Sequence, residues 1–351
     1  MYLNNSGVDN PIGGCHFIEA AFSDPVVETN TFQLRRCQLE SMATTTATSK
    51  GKVLVLCATG KAGFNVCKAL LDEGFEVHGT TRSDAGAKKL KTIGVTPHSA
   101  NYTISEGIEM AIASSGAKLV WGMNDLIGAA KGDVAKANKM ARDMIDTCKR
   151  ADLDHFCLMT VIGIDELDQV DERSKHIYSN AYARDYLQES AMKSYSILQP
   201  AMFMENFNDA ANFNPLKKGS LKMLCSPDVP CKWVACYDIG KMAALHFSNP
   251  AAWHGKSTHC GSVVATVNQA GEALTAVTGT PTKCGMMMPR CIRRLMIPAD
   301  IEAMISQFEG GFIPASDIDA FKALVPDAMD FEAWFRYIEV YSNGAKIAAA
   351  E

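Results

Sequence analysis

The stretch Lys52–Arg82, KVLVLCATGKAGFNVCKALLDEGFEVHGTTR, constrains the fold of this chain more than any other. It opens with the apolar run Val53–Leu56, which is typical of a strand buried on both faces. A turn of small residues follows, then apolar residues at helical spacing, and then a second strand over Phe75–Thr81. This order predicts a dinucleotide-binding βαβ unit, because glycines permit a sharp turn and a helix N-terminus offers free N–H groups to a pyrophosphate. A structural βαβ turn that binds no ligand is the alternative.

Composition narrows the class of protein. The chain has 351 residues, 47% of them hydrophobic and 21% charged, which is typical of a globular protein with a sizeable core. A net charge of −5 gives no basic surface for direct nucleic-acid binding. No apolar run is long enough to span a membrane, so we expect no membrane partner. The twelve cysteines form no CxxC pair and follow no secretory signal, which favours a reducing, cytoplasmic compartment and no metal site.

The chain divides into three parts by pattern. Residues 1–50 lack periodicity and end in a Thr/Ser run, so we predict a disordered N-terminal extension, with Met42 as an alternative start. Organelle targeting by this extension is left open, although its mixed charges match a transit peptide poorly. Residues 51–200 alternate strands and helices, which predicts an α/β fold with a Rossmann-type, doubly wound parallel sheet of six strands. Residues 201–351 break this rhythm and predict a smaller C-terminal α+β part that binds substrate or a partner over the carboxyl ends of the strands.

Several helix boundaries follow from the pattern. Ser105 is expected to cap a helix that runs through Ala113, and a later helix is expected over Tyr178–Lys193. A further helix is expected to begin at Asp238 as its N-cap, with Lys241 solvated on its surface. Serine and aspartate are favoured at N-caps because their side-chain oxygens accept hydrogen bonds from the free N–H groups of the first turn.

The end of the second strand distinguishes the two nicotinamide dinucleotides. An acidic residue there would bind the ribose 2′-hydroxyl of NAD, whereas a basic residue accommodates a 2′-phosphate. The strand ends TTRS, with Arg82 and no acid at its tip, and Lys61 in the glycine turn adds positive charge nearby. We therefore predict NADP as the cofactor, with NAD as the alternative.

Position along the predicted sheet suggests further cofactor residues. Asn101 follows the third strand and is expected to meet the adenine, and Gly122–Asn124 follow the fourth strand and are expected to line the groove. The predicted cofactor-binding residues are Cys57, Thr59, Gly60, Lys61, Ala62, Gly63, Arg82, Asn101, Gly122, Met123, Asn124, Thr160 and Pro200.

Four stretches resemble the NmrA-like family, a branch of the atypical short-chain dehydrogenases/reductases in the NAD(P)-binding Rossmann superfamily. They are the glycine turn with Arg82, the strand and loop Tyr195–Phe207 (YSILQPAMFMENF), the helix start Asp238–Gly240 and the tail segment Asp317–Phe335. Together the similarity spans residues 52–340. The resemblance implies a Rossmann-type NAD(P) domain with a smaller substrate or partner domain. Members include redox-responsive regulators that bind dinucleotide without evident turnover, and relatives that reduce quinones or carbonyl-like compounds.

The chain departs from the family pattern at two positions. Its glycine turn begins with Cys57 where the family has the first glycine of GxxGxxG, so a Cβ is expected to crowd the turn. The helix over Tyr178–Lys193 resembles the family's helix that carries a lysine, but Asn180 stands at that position. Classical members of the superfamily use a Tyr-xxx-Lys pair, in which the lysine lowers the tyrosine pKa and binds the ribose. The literal match, Tyr237 to Lys241, lies far along the chain and is not expected to be catalytic.

Catalytic candidates remain without that pair. Tyr178 or Tyr182 can serve as an acid, Thr160 can orient a carbonyl, and His176 can shuttle a proton near neutral pH. Each also has a purely structural interpretation, as a surface tyrosine, a strand-end threonine or a loop histidine. Cys57 has two interpretations as well: a readily oxidised thiol of lowered pKa at a helix N-terminus, or a small residue that replaces glycine.

These features lead to one predicted function and two alternatives. The leading prediction is an NADP(H)-binding, redox- or dinucleotide-responsive regulator with weak or no dehydrogenase turnover, and with a partner surface at the Met-rich segment Met286–Met288. The first alternative is an NADPH-dependent reductase of a small quinone or carbonyl compound, because hydride transfer to such an acceptor needs positioning more than a dedicated acid. The second, an interaction module with a vestigial dinucleotide fold, follows only if Cys57 abolishes binding.

Overall fold

The computed structural model describes residues 49–208 and 220–338. Its strands are β1 Lys52–Val55, β2 Glu76–Thr81, β3 Thr96–Ser99, β4 Leu119–Met123, β5 His155–Met159, β6 Tyr195–Pro200, β7 Met202–Phe203, β8 Ser220–Met223, β9 Cys231–Val234, β10 Ser257–Cys260, β11 Val263–Ala265 and β12 Lys283–Met286. Its helices are α1 Lys61–Asp72, α2 Asp84–Lys91, α3 Ser105–Ser115, α4 Val134–Arg150, α5 Lys175–Glu189, α6 Cys236–Ser248, α7 Pro250–Trp253, α8 Val267–Thr278, α9 Arg290–Met296, α10 Ala299–Glu309 and α11 Ile318–Leu324. A 3₁₀-helix covers Met204–Phe207, and a last helical segment covers 331–338. The predictions for residues 1–48, with Met42, lie outside the described residues.

Seven strands form one parallel sheet in the order β10-β6-β5-β4-β1-β2-β3. From β1, the chain adds strands first on one side (β2, β3) and then on the other (β4, β5, β6). A crevice therefore opens at the carboxyl ends of β1 and β4, where the direction of addition reverses. β1 is buried from Val53 to Val55, in agreement with its apolar sequence. The predicted α/β fold with a Rossmann-type, doubly wound parallel sheet is confirmed.

The seventh strand of this sheet comes from the second half of the chain. β10 pairs with β6 in parallel, with Ser257 opposite Ile197. α6, also from the second half, packs closely on α1, where a Cβ on Gly240 would lie 2.6 Å from the Cβ of Ala69. The two halves therefore share one sheet and one helical layer, and the boundary at residue 200 stays a prediction.

The rest of the second half forms the smaller α+β part. β11, β9 and β7 make a three-stranded sheet, and β12 pairs with β8 in a separate two-stranded sheet. Buried aromatic side chains fill its core: Phe207 stacks on Trp233 at 5.1 Å between ring centroids, and Phe331 meets Trp233 edge-on at 5.3 Å. The last helical segment, which carries Phe331, is thereby fixed to β9.

A buried arginine holds α9 and α10 together. The guanidinium of Arg293 donates to Glu302 at 2.6 and 3.0 Å and to Glu309 at 3.0 Å through two nitrogens. It also donates to the backbone oxygen of Leu224 at 2.7 Å. The two carboxylates raise the pKa of Arg293, and the guanidinium lowers the pKa of each carboxyl. Since α9 buries no other residue, charge pairing takes the place of apolar packing here.

Two of the predicted helix boundaries differ in detail from the structure. The N-cap of α3 is Ile104, which has no side-chain oxygen, so Ser105 is wrong as the cap. α5 begins at Lys175 and ends at Glu189, one turn earlier at each end than the predicted Tyr178–Lys193. A helix can begin at a residue without a capping side chain when tertiary packing stabilises it, and this makes helix ends harder to predict than helix centres.

Asp238 is also wrong as an N-cap. α6 begins at Cys236, and the carboxylate of Asp238 is buried inside it, where it accepts a hydrogen bond from Met329 N at 2.7 Å. Burial raises the pKa of Asp238 to about 6. Lys241, expected to be solvated, is only 14% exposed and pairs with Asp238 at 3.3 Å and with Asp327 at 2.9 Å. The ion pair between Lys241 and Asp327 therefore joins α6 to the segment that precedes the last helical segment.

Candidate functional site

The glycine turn connects β1 to α1 at the crevice. Cys57 adopts a left-handed backbone conformation with φ +59°, which costs a residue other than glycine about 1–2 kcal/mol. Two hydrogen bonds hold it there: Cys57 N donates to Thr80 Oγ1 at 3.1 Å, and Gly60 N donates to Cys57 O at 3.0 Å. A Cβ on Gly63 would collide with Cys57 O, so glycine is required at that position. The turn therefore keeps a glycine-type backbone path although its first residue carries a side chain.

The N-terminus of α1 is open to an anion. Gly60 is its N-cap, no side chain in the described part of the chain caps it, and its first turn carries no acidic residue. The backbone N–H groups of that turn and the positive end of the helix dipole therefore face the crevice uncompensated. The ammonium of Lys61, the first residue of α1, lies 3.4 Å from Asn206 Oδ1, in the 3₁₀-helix that follows β7.

A cavity of about 230 Å³ lies beside the turn, at the carboxyl ends of β1 and β2. It brings together four of the predicted cofactor residues, namely Cys57, Thr59, Gly60 and Arg82. Sequence reasoning missed the other lining residues, which are Thr80, Thr81, Tyr102, Asp125, Gly128 and Ala129. The cavity joins a strand-end arginine to an open helix N-terminus, and both features favour a phosphorylated ligand.

Tyr102 and Asp125 close one side of this cavity. Tyr102 Oη donates to Asp125 Oδ2 at 3.2 Å, and Gly128 N donates to Asp125 Oδ1 at 2.7 Å. Burial raises the pKa of Tyr102 and that of the Cys57 thiol, so both groups are protonated at neutral pH. The interpretation of Cys57 as a thiol of lowered pKa is therefore wrong. Its interpretation as a small residue in place of glycine agrees with the structure.

The remaining predicted cofactor residues do not line this cavity. Asn101 Oδ1 accepts from Thr103 N at 3.2 Å and from Thr103 Oγ1 at 2.8 Å, within its own turn. A Cβ on Gly122 would lie 2.6 Å from Met144 Sδ, so this glycine allows close packing against α4. The others lie in the first turn of α1 or at the ends of β4, β5 and β6; they are Lys61, Ala62, Gly63, Met123, Asn124, Thr160 and Pro200. Their roles as cofactor contacts stay predictions.

The three predicted catalytic oxygens already have hydrogen-bond partners. Tyr178 Oη donates to two backbone oxygens of the preceding loop, at 3.1 and 3.2 Å. Tyr182 Oη accepts from Arg142 Nη1 at 2.9 Å. Thr160 Oγ1 donates to a backbone oxygen of β6 at 3.1 Å. Their catalytic roles stay predictions, and each role would require that a present bond be exchanged.

A cluster of unpaired polar atoms lies where β4 ends and α5 begins. Asn180 Nδ2 donates to His176 O at 2.8 Å, and Asn124 Nδ2 donates to Ser179 O at 2.9 Å. Among the described residues, three buried atoms here have no hydrogen-bond partner: Asn180 Oδ1, Asn124 Oδ1 and His176 Nδ1. Burial lowers the pKa of His176, although Asp125 opposes this, so its imidazole is neutral near pH 7. Buried unpaired atoms are costly, so this cluster is suited to a polar ligand or to ordered water.

The literal Tyr-xxx-Lys match lies outside the cavity lining. Tyr237 Oη donates to Asp72 Oδ2 at 2.6 Å, which joins α6 to α1. Lys241, as described above, pairs with the carboxylates of Asp238 and Asp327. Both side chains therefore hold helices and tail together.

A model of the NmrA-like family matches residues 49–335 of the chain. The match includes the glycine turn and extends to the tail segment Asp317–Phe335, both of which carry the resemblance in the sequence. The family resemblance predicted from those stretches is confirmed.

Solved structures share the fold over nearly their whole length. An NADPH-dependent quinone oxidoreductase of Escherichia coli, complexed with NADPH, has a TM-score of 0.60 and 17% identity, over 82% of this chain and 99% of its own. NmrA, a negative transcriptional regulator in complex with NAD, has a TM-score of 0.62 and 16% identity, over 85% and 98%. A triphenylmethane reductase of Citrobacter sp. has a TM-score of 0.63 and 14% identity, over 80% and 96%. At these identities the likeness is one of fold.

Proposed function

Because the chain belongs to the NmrA-like family, we propose that it is an NADP(H)-binding regulator that responds to the dinucleotide with little or no turnover. One observation carries the proposal: the cavity beside the glycine turn joins an uncapped helix N-terminus to Arg82, at a strand end that has no acid. A pyrophosphate suits the helix N-terminus, and a 2′-phosphate suits the arginine. NAD, which lacks that phosphate, is the weaker alternative.

The residues around the cavity fit such a cofactor. The turn has no room for further side chains, since a Cβ on Gly60 would lie 3.0 Å from Cys57 Sγ and one on Gly63 would meet Cys57 O. The first turn of α1 would hold the pyrophosphate through backbone N–H groups, and Arg82 would hold the 2′-phosphate. The dinucleotide supplies hydride chemistry when it is bound, and the protein supplies binding and orientation.

Low turnover is supported by the side chains around α5. Tyr178 and Thr160 already donate their hydroxyl protons to backbone oxygens, and Tyr182 is bonded to Arg142. Asn180, at the position of the family's lysine, carries no charge that could lower a tyrosine pKa. None of these four side chains is therefore prepared to deliver a proton to a substrate carbonyl.

A reductase of a small quinone or carbonyl compound is the second candidate. The three unpaired buried atoms of Asn124, His176 and Asn180 support it, because a polar acceptor bound beside them could satisfy them. The neutral imidazole of His176 can both accept and donate a proton. Two of the similar structures, the quinone oxidoreductase and the triphenylmethane reductase, are reductases with this fold.

One pair of measurements separates the two candidates. The purified protein is titrated with NADP, NADPH, NAD and NADH, and NADPH oxidation is then assayed with a panel of quinones. Binding without oxidation supports the regulator. Turnover contradicts the regulator and supports the reductase, and the absence of any binding contradicts both.

The variant Arg82→Ala tests the cofactor assignment. We expect it to weaken NADP binding roughly tenfold, because a charged hydrogen-bonding partner of the 2′-phosphate is lost. NAD binding should change by no more than about twofold, as for a surface charge. Arg336→Ala, which removes an exposed arginine from the last helical segment, is the control. Equal losses for both dinucleotides would contradict the assignment to NADP.

We also propose a protein partner for the C-terminal part and a cytoplasmic location. Four large apolar side chains lie exposed on one short stretch: Met287, Ile292, Leu295 and Met296. Exposed apolar side chains grouped in this way are typical of a protein interface. The described cysteines are all free thiols, as a reducing compartment favours. Across the described ranges, no helix has the length and apolar character that crossing a bilayer needs.

A further inference from the structure

Two buried cysteines of the smaller part face each other across a turn. Cys225 follows β8 and Cys231 begins β9, and each is 4% exposed. Between them Val229 N donates to Ser226 O at 3.2 Å, which closes a β-turn with Pro227 at its second position. The turn reverses the chain, and it places the Cys231 thiol within hydrogen-bonding reach of the Cys225 sulfur.

Contacts on several sides hold this turn in place. Ser226 N donates to Glu309 Oε1 at 3.1 Å, which joins the start of the turn to α10. Asn268 Nδ2 donates to Asp228 Oδ1 at 2.6 Å, which joins its middle to α8. Beyond the turn, β9 lies in the middle of its three-stranded sheet. Because the segment is held at three places, the approach of the two thiols is a property of the fold.

The two thiols differ in reactivity. Hydrogen bonding by Cys231 lowers the pKa of the Cys225 thiol, although burial opposes this. The Arg293 guanidinium also lowers that pKa, and the Glu309 carboxylate opposes it. The same hydrogen bond, together with burial, raises the pKa of Cys231. Since the thiolate is the nucleophilic form, Cys225 is the thiol that reacts first.

The position of the pair suits a small oxidant. Asp228 and Pro230 of the turn are exposed, so the two sulfur atoms lie beneath a surface turn rather than at the centre of the main sheet. A metal site would need further ligands, and across the described ranges no group of three His, Cys, Asp or Glu side chains could hold an ion. Simple apolar packing is the competing role, since Cys231 belongs to the aromatic core of the smaller part.

We propose that Cys225 and Cys231 form a reversible disulfide when the protein meets hydrogen peroxide. The Cys225 thiolate attacks one peroxide oxygen and breaks the O–O bond, which gives a sulfenic acid and, after protonation of the leaving hydroxide, water. The Cys231 sulfur then attacks the Cys225 sulfur, so that the S–S bond forms, the S–O bond breaks and a second water leaves. The two thiols together lose two electrons and two protons, and the peroxide is reduced to two waters.

Peptide mapping tests the disulfide directly. Trypsin releases both cysteines in one peptide, residues 223–232, so the disulfide gives a peptide that is lighter by two hydrogen atoms and takes up no N-ethylmaleimide. The folded full chain is treated with hydrogen peroxide, quenched, unfolded, alkylated and digested. We expect this unlabelled peptide to appear while Cys148, a buried thiol of α4, stays labelled. Dithiothreitol added before alkylation should restore both labels.

Single variants test the order of the two steps. In Cys231→Ser the sulfenic acid on Cys225 has lost its partner, so dimedone should trap it. In Cys225→Ser the remaining Cys231 should take up roughly tenfold less dimedone or lower, because its thiolate fraction is small. Cys284→Ser removes a half-buried thiol from β12 of the same part, and it should leave the formation of the disulfide unchanged.

Three outcomes would overturn the proposal. They are full labelling of both cysteines after peroxide treatment, a sulfinic acid on Cys225 without any disulfide in the wild-type protein, and equal dimedone trapping in the two variants. The proposal does not depend on dinucleotide binding. A protein that forms the disulfide but binds no dinucleotide would contradict the proposed function alone, and one that binds dinucleotide but forms no disulfide would contradict the cysteine pair alone.

Discussion

The glycine turn and the Arg293 cluster hold their parts of the molecule together in opposite ways. At the turn, close packing of the backbone holds the structure, because Gly63 lies where any Cβ would meet Cys57 O. At the cluster, pairing of side-chain charges holds the structure, because Arg293 is buried between Glu302 and Glu309 and α9 buries no other residue. The first arrangement should tolerate a change of charge but no added bulk. The second should tolerate a change of shape but no loss of charge.

The largest expected effect on the free energy of unfolding comes from removing the charge of Arg293. Arg293→Met keeps an unbranched side chain and removes the buried cation that joins Glu302 to Glu309, so that these carboxylates keep only the exposed Arg290 and Arg294 beside them. The free energy of unfolding should fall by about 3 kcal/mol. Urea denaturation followed by tryptophan fluorescence measures the change. Arg294→Met is the control, since Arg294 is exposed and lies 3.6 Å from Glu302; it should cost less than about 1 kcal/mol. Similar losses in both variants would show that charge is not what holds α9.

A single added methyl group at the turn should have the next largest effect. Gly63→Ala brings a Cβ against Cys57 O and should lower the free energy of unfolding by about 1–3 kcal/mol. It should also weaken dinucleotide binding, because the turn has to shift. Gly285→Ala adds the same group where, among the described residues other than its chain neighbours, no atom lies within 4 Å of the new Cβ. It should change the free energy of unfolding by less than about 0.5 kcal/mol. A Gly63→Ala protein as stable as wild type would contradict the backbone explanation of the turn.

Acid should affect the buried histidines beside the main sheet and the Arg293 cluster in different pH ranges. Burial lowers the pKa of His155 in β5 to about 4 and that of His246 in α6 to about 3, from 6.5. The unfolded chain then binds more protons than the folded chain below about pH 6.5, so the stability that these neutral histidines allow declines as the pH falls toward 4. Glu302 and Glu309 have pKa values lowered by Arg293, so their contribution is lost only below the ordinary glutamate value of 4.5.

Unfolding free energies measured between pH 7 and pH 4 test this separation. His246→Gln should flatten the decline by on the order of 1 kcal/mol. Glu302→Gln should lower stability throughout and leave the slope above pH 4.5 unchanged. Asp238 acts in the opposite direction, since burial raises its pKa to about 6 and protonation favours the folded state, so the slopes of variants are compared rather than absolute values. A flattened slope in Glu302→Gln would contradict the assignment of this pH range to the histidines.

The elements around the turn could be predicted because their signals are local. An apolar run, two motif glycines and a strand-end arginine lie within Lys52–Arg82, and each acts through its own backbone or its neighbours. The third and fourth strands likewise pointed to the correct loops, but the residue next to each predicted one lines the cavity, and the cofactor contacts of the predicted residues stay predictions. Tyr102 lines the cavity rather than Asn101, and Asp125 rather than Asn124. Which of two adjacent side chains faces a cavity depends on the loop conformation, and this leaves no periodic trace in the sequence.

The features that could not be predicted depend on residues far apart in the chain. Asp238 reads as an N-cap by local rules, but its carboxylate is buried against Met329, ninety-one residues later. Arg293 gives no local signal either, since one arginine in a polar helix resembles a solvated residue until the backbone of Leu224 and two glutamates surround it. Such positions are decided by tertiary packing, which overrides local propensity.

The pairing of β10 with β6 also sets a condition on how the chain is made. A ribosome releases a chain from its N-terminus at about 5–20 residues per second. When β6 has emerged, its outer edge still lacks β10, and α1 still lacks α6 against its apolar face. An open strand edge and an uncovered apolar helix are the features that lead nascent chains to aggregate. The first half of this protein therefore passes through an interval of seconds during synthesis in which its open strand edge and apolar helix face need shielding. That interval ends only when Cys260 has emerged from the ribosome.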